Sequence, residues 1–326
     1  MKALRILALL IGIFVLLIFA GGAYVKLALP KSDPPPLIKV ERTPERIENG
    51  RYLANHVTVC MDCHSQRDWA LFSGPMAATG VGAGGEVFNA QMGFPGTFYA
   101  PNITPAALGN WTDGEIFRAV TAGVSKDGRA LFPIMACHRF GKMDKEDIYD
   151  MIAYIRTLAP VDKKIPMSKA DFPVNFIINT MPQKPSFIKK PLPKDTLLYG
   201  AYLINAAGCV ECHSQTDKGS VIKGTEFGGG MEFHQPAGIV RAPNITFDQA
   251  TGLHGWTKAQ FLQKFKSYTA ADYRPAAMTV NQINTPMPWV MYGGMKDQDL
   301  QAIYAYLKSL PPIQNRIVRY SPTKKD

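Results

Sequence analysis

The sequence predicts a mostly α-helical chain: two tandem helical domains with long loops, preceded by an N-terminal apolar helix. Three observations lead there. A series of short segments occurs twice in the same order. Each copy carries apolar stripes at helical spacing with caps at their starts. No convincing alternation of apolar and polar residues marks a half-buried strand.

At the N-terminus, Lys2 and Arg5 precede an uncharged run from Ile6 to Val25, closed by Lys26. About twenty helical residues at ~1.5 Å each span the roughly 30 Å hydrocarbon layer of a membrane. A positive start before an apolar core is an export signal. Residues 1–28 are therefore expected to be a retained single-pass anchor, with the rest on the periplasmic side of the cytoplasmic membrane. Gly21-Gly22-Ala23 resembles a small-x-small cleavage site, which leaves an exported and cleaved form as the alternative. Residues 29–42 form a proline-rich linker.

Arg51-Tyr52-Leu53 is matched by Ala201-Tyr202-Leu203, and Pro101-Asn102-Ile103-Thr104 by Pro243-Asn244-Ile245-Thr246. Asn110-Trp111-Thr112 is matched by Gly255-Trp256-Thr257, and Met143–Leu158 by Met295–Leu310. Such order implies internal duplication, with domains at 43–160 and 195–313, a linker at 161–194 and a basic tail at 314–326. Thr43-Pro44 reads as an N-cap with proline at the first helical position, and Asp195 as the cap of its counterpart. Thr112 with Glu115, and Thr257 with Gln260, read as capping boxes. The last helix of each copy shows one apolar stripe, Ile148, Ile152 and Ile155 against Leu300, Tyr304 and Leu307. Pro160 and Pro311 are expected to stop these helices. Ser73–Gly96 and Lys218–Gly238 are glycine-rich and expected to be irregular. Phe172, Val174, Phe176, Ile177 and Ile178 make the linker too apolar for a free tether, so it is expected to pack.

Cys60-Met61-Asp62-Cys63-His64 and Cys209-Val210-Glu211-Cys212-His213 occupy the same place in the two copies. Cys-x-x-Cys-His is the attachment signature of c-type haem: two thiols add to the vinyl groups and the histidine ligates iron. Zinc ribbons bring two such motifs within roughly 15–20 residues, and thiol redox sites need no trailing histidine. Both alternatives fit a widely spaced, duplicated, exported pair poorly. Two covalently attached haem c groups are the expected cofactors, held by Cys60, Cys63, His64, Cys209, Cys212 and His213.

Met135 and Met287 stand in equivalent proline-bounded loops before the final helices, which makes them the expected distal iron ligands. A thioether there raises the reduction potential and closes the iron to substrates. With 14 methionines in the chain, core packing is the plain alternative. At the first site Cys137-His138 follow Met135 almost directly and stay open as ligands. His56, His234 and His254 have no counterparts and read as surface or loop residues. Trp111, Trp256, Asn102 and Asn244 either donate to haem propionates or simply pack and turn.

At these residues the chain resembles the class I cytochromes c. It looks most like the haem domains of membrane-associated cytochrome subunits that serve periplasmic alcohol, aldehyde and nicotinate dehydrogenases. The likeness covers residues 44–160 and 195–312. It rests on both Cys-x-x-Cys-His motifs, both Pro-Asn-Ile-Thr segments and the distal loop leading into Ala153-Tyr154-Ile155 and Ala305-Tyr306-Leu307. It implies proximal ligation by His64 and His213, distal ligation by Met135 and Met287, and electron transfer rather than catalysis. Expected partners are redox proteins: a dehydrogenase, another cytochrome or an oxidase. A dihaem peroxidase with an open first haem and a haem-based ligand sensor are the competing readings.

The formal charge of +10 would fall to about +6 with ionised propionates on two haems. A basic exterior steers encounters with acidic proteins or anionic lipid. With an exported soluble part and no recognition motif, nucleic acid is not an expected partner.

Overall fold

The computed structural model describes residues 1–322; the last four residues of the expected basic tail, 323–326, lie outside the described residues. Thirteen α-helical segments among the described residues follow in order: α1 (Lys2–Leu27), α2 (Pro44–Tyr52), α3 (Cys60–Cys63), α4 (Pro105–Leu108), α5 (Asp113–Ala122), α6 (Cys137–Phe140), α7 (Lys145–Ile155), α8 (Val174–Ile177), α9 (Thr196–Ala207), α10 (Cys209–Cys212), α11 (Lys258–Lys266), α12 (Trp289–Gly293) and α13 (Asp297–Ser309). The chain divides into two compact units.

One unit contains Met1–Lys39, Trp111–Lys142 and Lys169–Ser186. Helix α1 is long and apolar enough to cross a membrane, and none of its residues is buried. The short α8 and the turn after it lie against its end: Lys26 Nζ sits 5.2 Å from the Phe176 ring centre. Asn179 Nδ2 donates to the Val25 carbonyl at 3.3 Å. The linker's apolar residues are thus less buried than expected, with Phe172 81% exposed. Helix α5 opens with the complete Thr112–Glu115 capping box and ends at Gly123, in left-handed backbone. A Cβ at Gly123 would come within 2.8 Å of the Cys137 sulfur, and one at Gly114 within 1.9 Å of the Pro36 carbonyl oxygen. Two glycines therefore let α5 seat against its neighbours.

The other unit contains Val40–Asn110, Met143–Ser168 and the described residues from Phe187 on. Two helix pairs form its core, α2 with α7 and α9 with α13. Each crossing is made at a glycine. A Cβ on Gly50 would lie 1.8 Å from the Asp150 carbonyl oxygen, and one on Gly200 2.2 Å from that of Ala302. Ile148, Ile152, Leu203, Leu300 and Leu307 fill the space around these crossings, all fully buried. Thr43 caps α2 by accepting the Arg46 N–H at 3.2 Å, and Thr257 with Gln260 completes the box that opens α11. Helix α7 ends at Ile155, ahead of Pro160, its last turn tightened by Thr157 N–H to the Tyr154 carbonyl at 2.8 Å.

The glycine-rich segments differ from expectation, because they contain short antiparallel strands. Val87–Phe88 (β1) pairs with Gly96–Tyr99 (β2). Lys169–Ala170 forms β3. Thr216–Asp217 (β4) pairs with Ser220–Val221 (β5). Glu232–Gln235 (β6) pairs with Gly238–Arg241 (β7), which also pairs with Tyr320–Pro322 (β8). Strands of two to four residues are too short to display a period. One further departure follows α2. Leu53–Val57 form a π-helical turn, because the first repeat has one more residue between its tyrosine and its first motif cysteine than the second.

Candidate functional site

Both Cys-x-x-Cys-His motifs fold alike. Cys60 and Cys63 bracket the single turn α3, and Cys209 and Cys212 bracket α10. Residues three apart lie on one helical face, so each pair of thiols points the same way. Both turns are entered through left-handed backbone, at Val59 (φ 49°) and at Gly208 (φ 72°). A β-branched residue in that region is an outlier. The copies keep the bend even where the first lacks glycine.

His64 and His213 are buried, 7% and 9% exposed. The Nδ1–H of His64 donates to the Pro101 carbonyl at 2.8 Å, and that of His213 to the Pro243 carbonyl at 2.9 Å. Burial holds both imidazoles below their ordinary pKa, against the opposing pull of those carbonyls. A neutral ring with its Nδ1 proton committed keeps its Nε2 lone pair for a metal, and the carbonyl fixes the ring's direction. The donor set fits haem c: two thiols on one face and an oriented neutral imidazole beside them.

The carbonyls that orient the histidines belong to the repeated Pro-Asn-Ile-Thr segments. Asn102 Oδ1 accepts the N–H and hydroxyl of Thr104 at 2.9 and 2.8 Å, and Asn244 does the same for Thr246 at 2.9 and 2.7 Å. Their amide nitrogens donate to the Val161 and Ile313 carbonyls at 2.8 and 2.7 Å. Both asparagines thus shape and pin a turn.

Sequence reasoning missed two glycines and two serines. Gly84 N–H donates to the His64 carbonyl and Gly229 N–H to that of His213, each at 2.8 Å. A Cβ at either glycine would fall within 2.6 Å of the Pro-Asn backbone, and both have positive φ. Ser65 and Ser214, fully buried, accept the N–H of Gly82 and Phe227 at 3.0 and 3.1 Å. The available signal was a Gly-Gly pair and a Cys-His-Ser-Gln run present in both copies.

Met287 is half-buried in the loop before α12, its N–H donating to Thr285 Oγ1 at 3.2 Å. It shares one compact unit with Cys209, Cys212 and His213, and also with Cys60, Cys63 and His64. Met135 belongs to the unit of α1 and α5, where its N–H donates to the Phe132 carbonyl at 3.0 Å and its carbonyl caps the start of α6. His138 is half-buried on α6. His254 lies in an exposed loop and His234 on β6. His56, expected at a surface or loop, is instead half-buried in the π-helical turn. Its Nδ1–H donates to the Met291 carbonyl at 2.8 Å, and burial lowers its pKa.

Comparison with known proteins adds one family match and three relatives. Residues 198–311 match the cytochrome c family. The fructose dehydrogenase cytochrome subunit of Gluconobacter japonicus is 28% identical, over 81% of this chain and 52% of its own length. The cytochrome c subunit of the quinone alcohol dehydrogenase of Gluconacetobacter polyoxogenes is 27% identical, over 82% of this chain and 56% of its own. The chain thus spans about half the length of those two dehydrogenase subunits. A diheme c-type cytochrome of Cereibacter sphaeroides is 28% identical over 92% of this chain and 97% of its own length.

Proposed function

We propose that this chain is a membrane-tethered dihaem electron carrier, a reading supported by the match of residues 198–311 to the cytochrome c family. Each Cys-x-x-Cys-His holds one haem. When bound, haem supplies one-electron chemistry between ferric and ferrous iron. The chain's own residues attach it, ligate it and close it off. Cys60 with Cys63, and Cys209 with Cys212, form the thioether links. His64 and His213 would ligate the iron, each aimed by the proline carbonyl that accepts its Nδ1–H hydrogen bond. Met135 and Met287 would supply the second ligand of each iron. Sulfur there would favour the reduced state and leave no position for a substrate, which supports transfer over catalysis.

The observation that carries this reading is the duplicated histidine environment. His64, Pro101 and Gly84 make the same bonds as His213, Pro243 and Gly229, at lengths within 0.1 Å. Two segments so alike serve one chemistry twice, in two tandem cytochrome c-like domains.

The relatives named as dehydrogenase cytochrome subunits support a dehydrogenase as the electron donor. Another cytochrome or an oxidase would accept the electrons. Helix α1 would anchor the chain with both haem segments on the periplasmic side, where the positive charge favours acidic partners.

A potentiometric titration of Met135→Ala and Met287→Ala tests the ligand assignment. Each substitution is expected to lower one of two potentials and open one haem to cyanide. Two unchanged potentials would overturn the assignment. At the first site, a new bis-histidine spectrum would identify His138 as the replacement.

A further inference from the structure

The loop that carries Met287 is fastened by the other repeat. Ser73, in the loop after the first Cys-x-x-Cys-His, donates its hydroxyl to the Met287 carbonyl at 2.6 Å. The Trp289 N–H is shared between Ser73 Oγ at 3.1 Å and the Met287 carbonyl at 2.9 Å. Ser73 N–H donates to Asn284 Oδ1 at 2.8 Å, and Asn284 Nδ2 donates to the Leu71 and Trp69 carbonyls at 2.9 and 3.3 Å. Phe72 N–H to the Ala276 carbonyl (2.8 Å) and Met278 N–H to the Ala70 carbonyl (2.7 Å) continue the contact. From the second repeat, the Gln235 side chain bonds the Asn284 carbonyl and N–H at 2.8 and 3.0 Å.

Ser73 is 2% exposed and has φ 67°. Glycine is the residue that meets such backbone without strain. The serine brings a hydroxyl whose proton and lone pair are both engaged. The serine is itself held. Arg67 donates to the Ser73 and Gly74 carbonyls at 2.7 Å each and to Asp62 Oδ2 at 3.0 Å, with its guanidinium 4.0 Å from the Trp69 ring centre. Asp62 lies between Cys60 and Cys63. A continuous line of bonds therefore runs from the first attachment turn to the backbone of Met287.

We propose that Ser73 is the positioning residue for Met287, so that the segment attaching the first haem fixes the sixth ligand of the second. This rests on Met287 being that ligand. Bonds from a buried hydroxyl to a loop carbonyl and N–H restrict where the thioether sits, and restriction favours ligation by removing competing loop positions.

The test uses the full chain in detergent with both haems attached. In Ser73→Gly, which keeps the backbone free to hold its φ, the methionine–iron charge-transfer band of the ferric protein should weaken. One potential should fall while the other stays, and cyanide affinity at that haem should rise about tenfold. Asn284→Ala should shift the same haem in the same direction, and it stands in if Ser73→Gly assembles poorly. Wild-type band, potentials and cyanide affinity in both variants, with Met287→Ala altering all three, would overturn the positioning role. Wild-type behaviour in Met287→Ala would instead remove the ligand reading beneath it.

Discussion

Tyr202 donates its hydroxyl to Asp147 across 2.6 Å, and the equivalent residues of the opposite repeats do the converse, Tyr52 donating to Asp299 across 2.5 Å. Each hydroxyl also accepts the N–H of the residue preceding the other repeat's last helix, Asp144 or Lys296, at 3.0 Å. Each buried carboxylate has a further donor: Lys190 Nζ at 3.0 Å for Asp147, and the Tyr199 hydroxyl at 2.9 Å for Asp299. The two repeats thus meet through a reciprocal pair of contacts, the pattern of an isologous dimer within one chain.

Removing either hydroxyl leaves a buried carboxylate and a helix-start N–H short of a partner. Tyr202→Phe and Tyr52→Phe should each destabilise the fold by about 1–3 kcal/mol. Urea unfolding followed at the haem absorbance checks this; a midpoint within error of wild type for both variants would contradict the contact's importance.

The same contacts set an alkaline limit. Burial first, then the neighbouring carboxylates, raise the pKa of Tyr52, Tyr199 and Tyr202 above the ordinary value of 10.0. The folded chain keeps these protons where the unfolded chain loses them. Their contribution is complete below about pH 10 and declines as pH rises above it. Thermal midpoints from pH 8 to about pH 11 should fall more steeply in wild type than in Tyr202→Phe.

Local chemistry explains what was legible. Thr43, Thr112 and Thr257 cap helices through side chains within four residues of themselves, so the pattern contains the answer. Asp195 stands at the N-cap position of α9, but its carboxylate accepts no cap hydrogen bond. The π-helical turn arises from one extra residue between Tyr52 and Cys60, visible in the spacing but without a local propensity to mark it. Strands β1 to β8 run four residues or fewer, below the length at which alternation registers. Both motifs could be read because their spacing is local. The partners of Ser73, His56 and Tyr202 could not, because each lies in the other repeat.

Glycine at the two helix crossings offers a matched comparison. Gly50→Ala and Gly200→Ala would drive a methyl into backbone at 1.8 and 2.2 Å. Each should destabilise by about 1–3 kcal/mol or more through forced separation of the helices. Gly255→Ala, where nothing lies within 4 Å, should be close to neutral. Equal midpoints for all three would show that the crossings are looser than described.

The central claim is that one polypeptide carries two thioether-linked haems. Intact-mass measurement of the denatured chain, expressed with a haem-attachment system, tests it most directly. The account predicts a mass increased by two haem groups, reduced to one by Cys209→Ala/Cys212→Ala and to the other one by Cys60→Ala/Cys63→Ala. A denatured chain at its bare polypeptide mass, or one whose increment is insensitive to either pair, would contradict it.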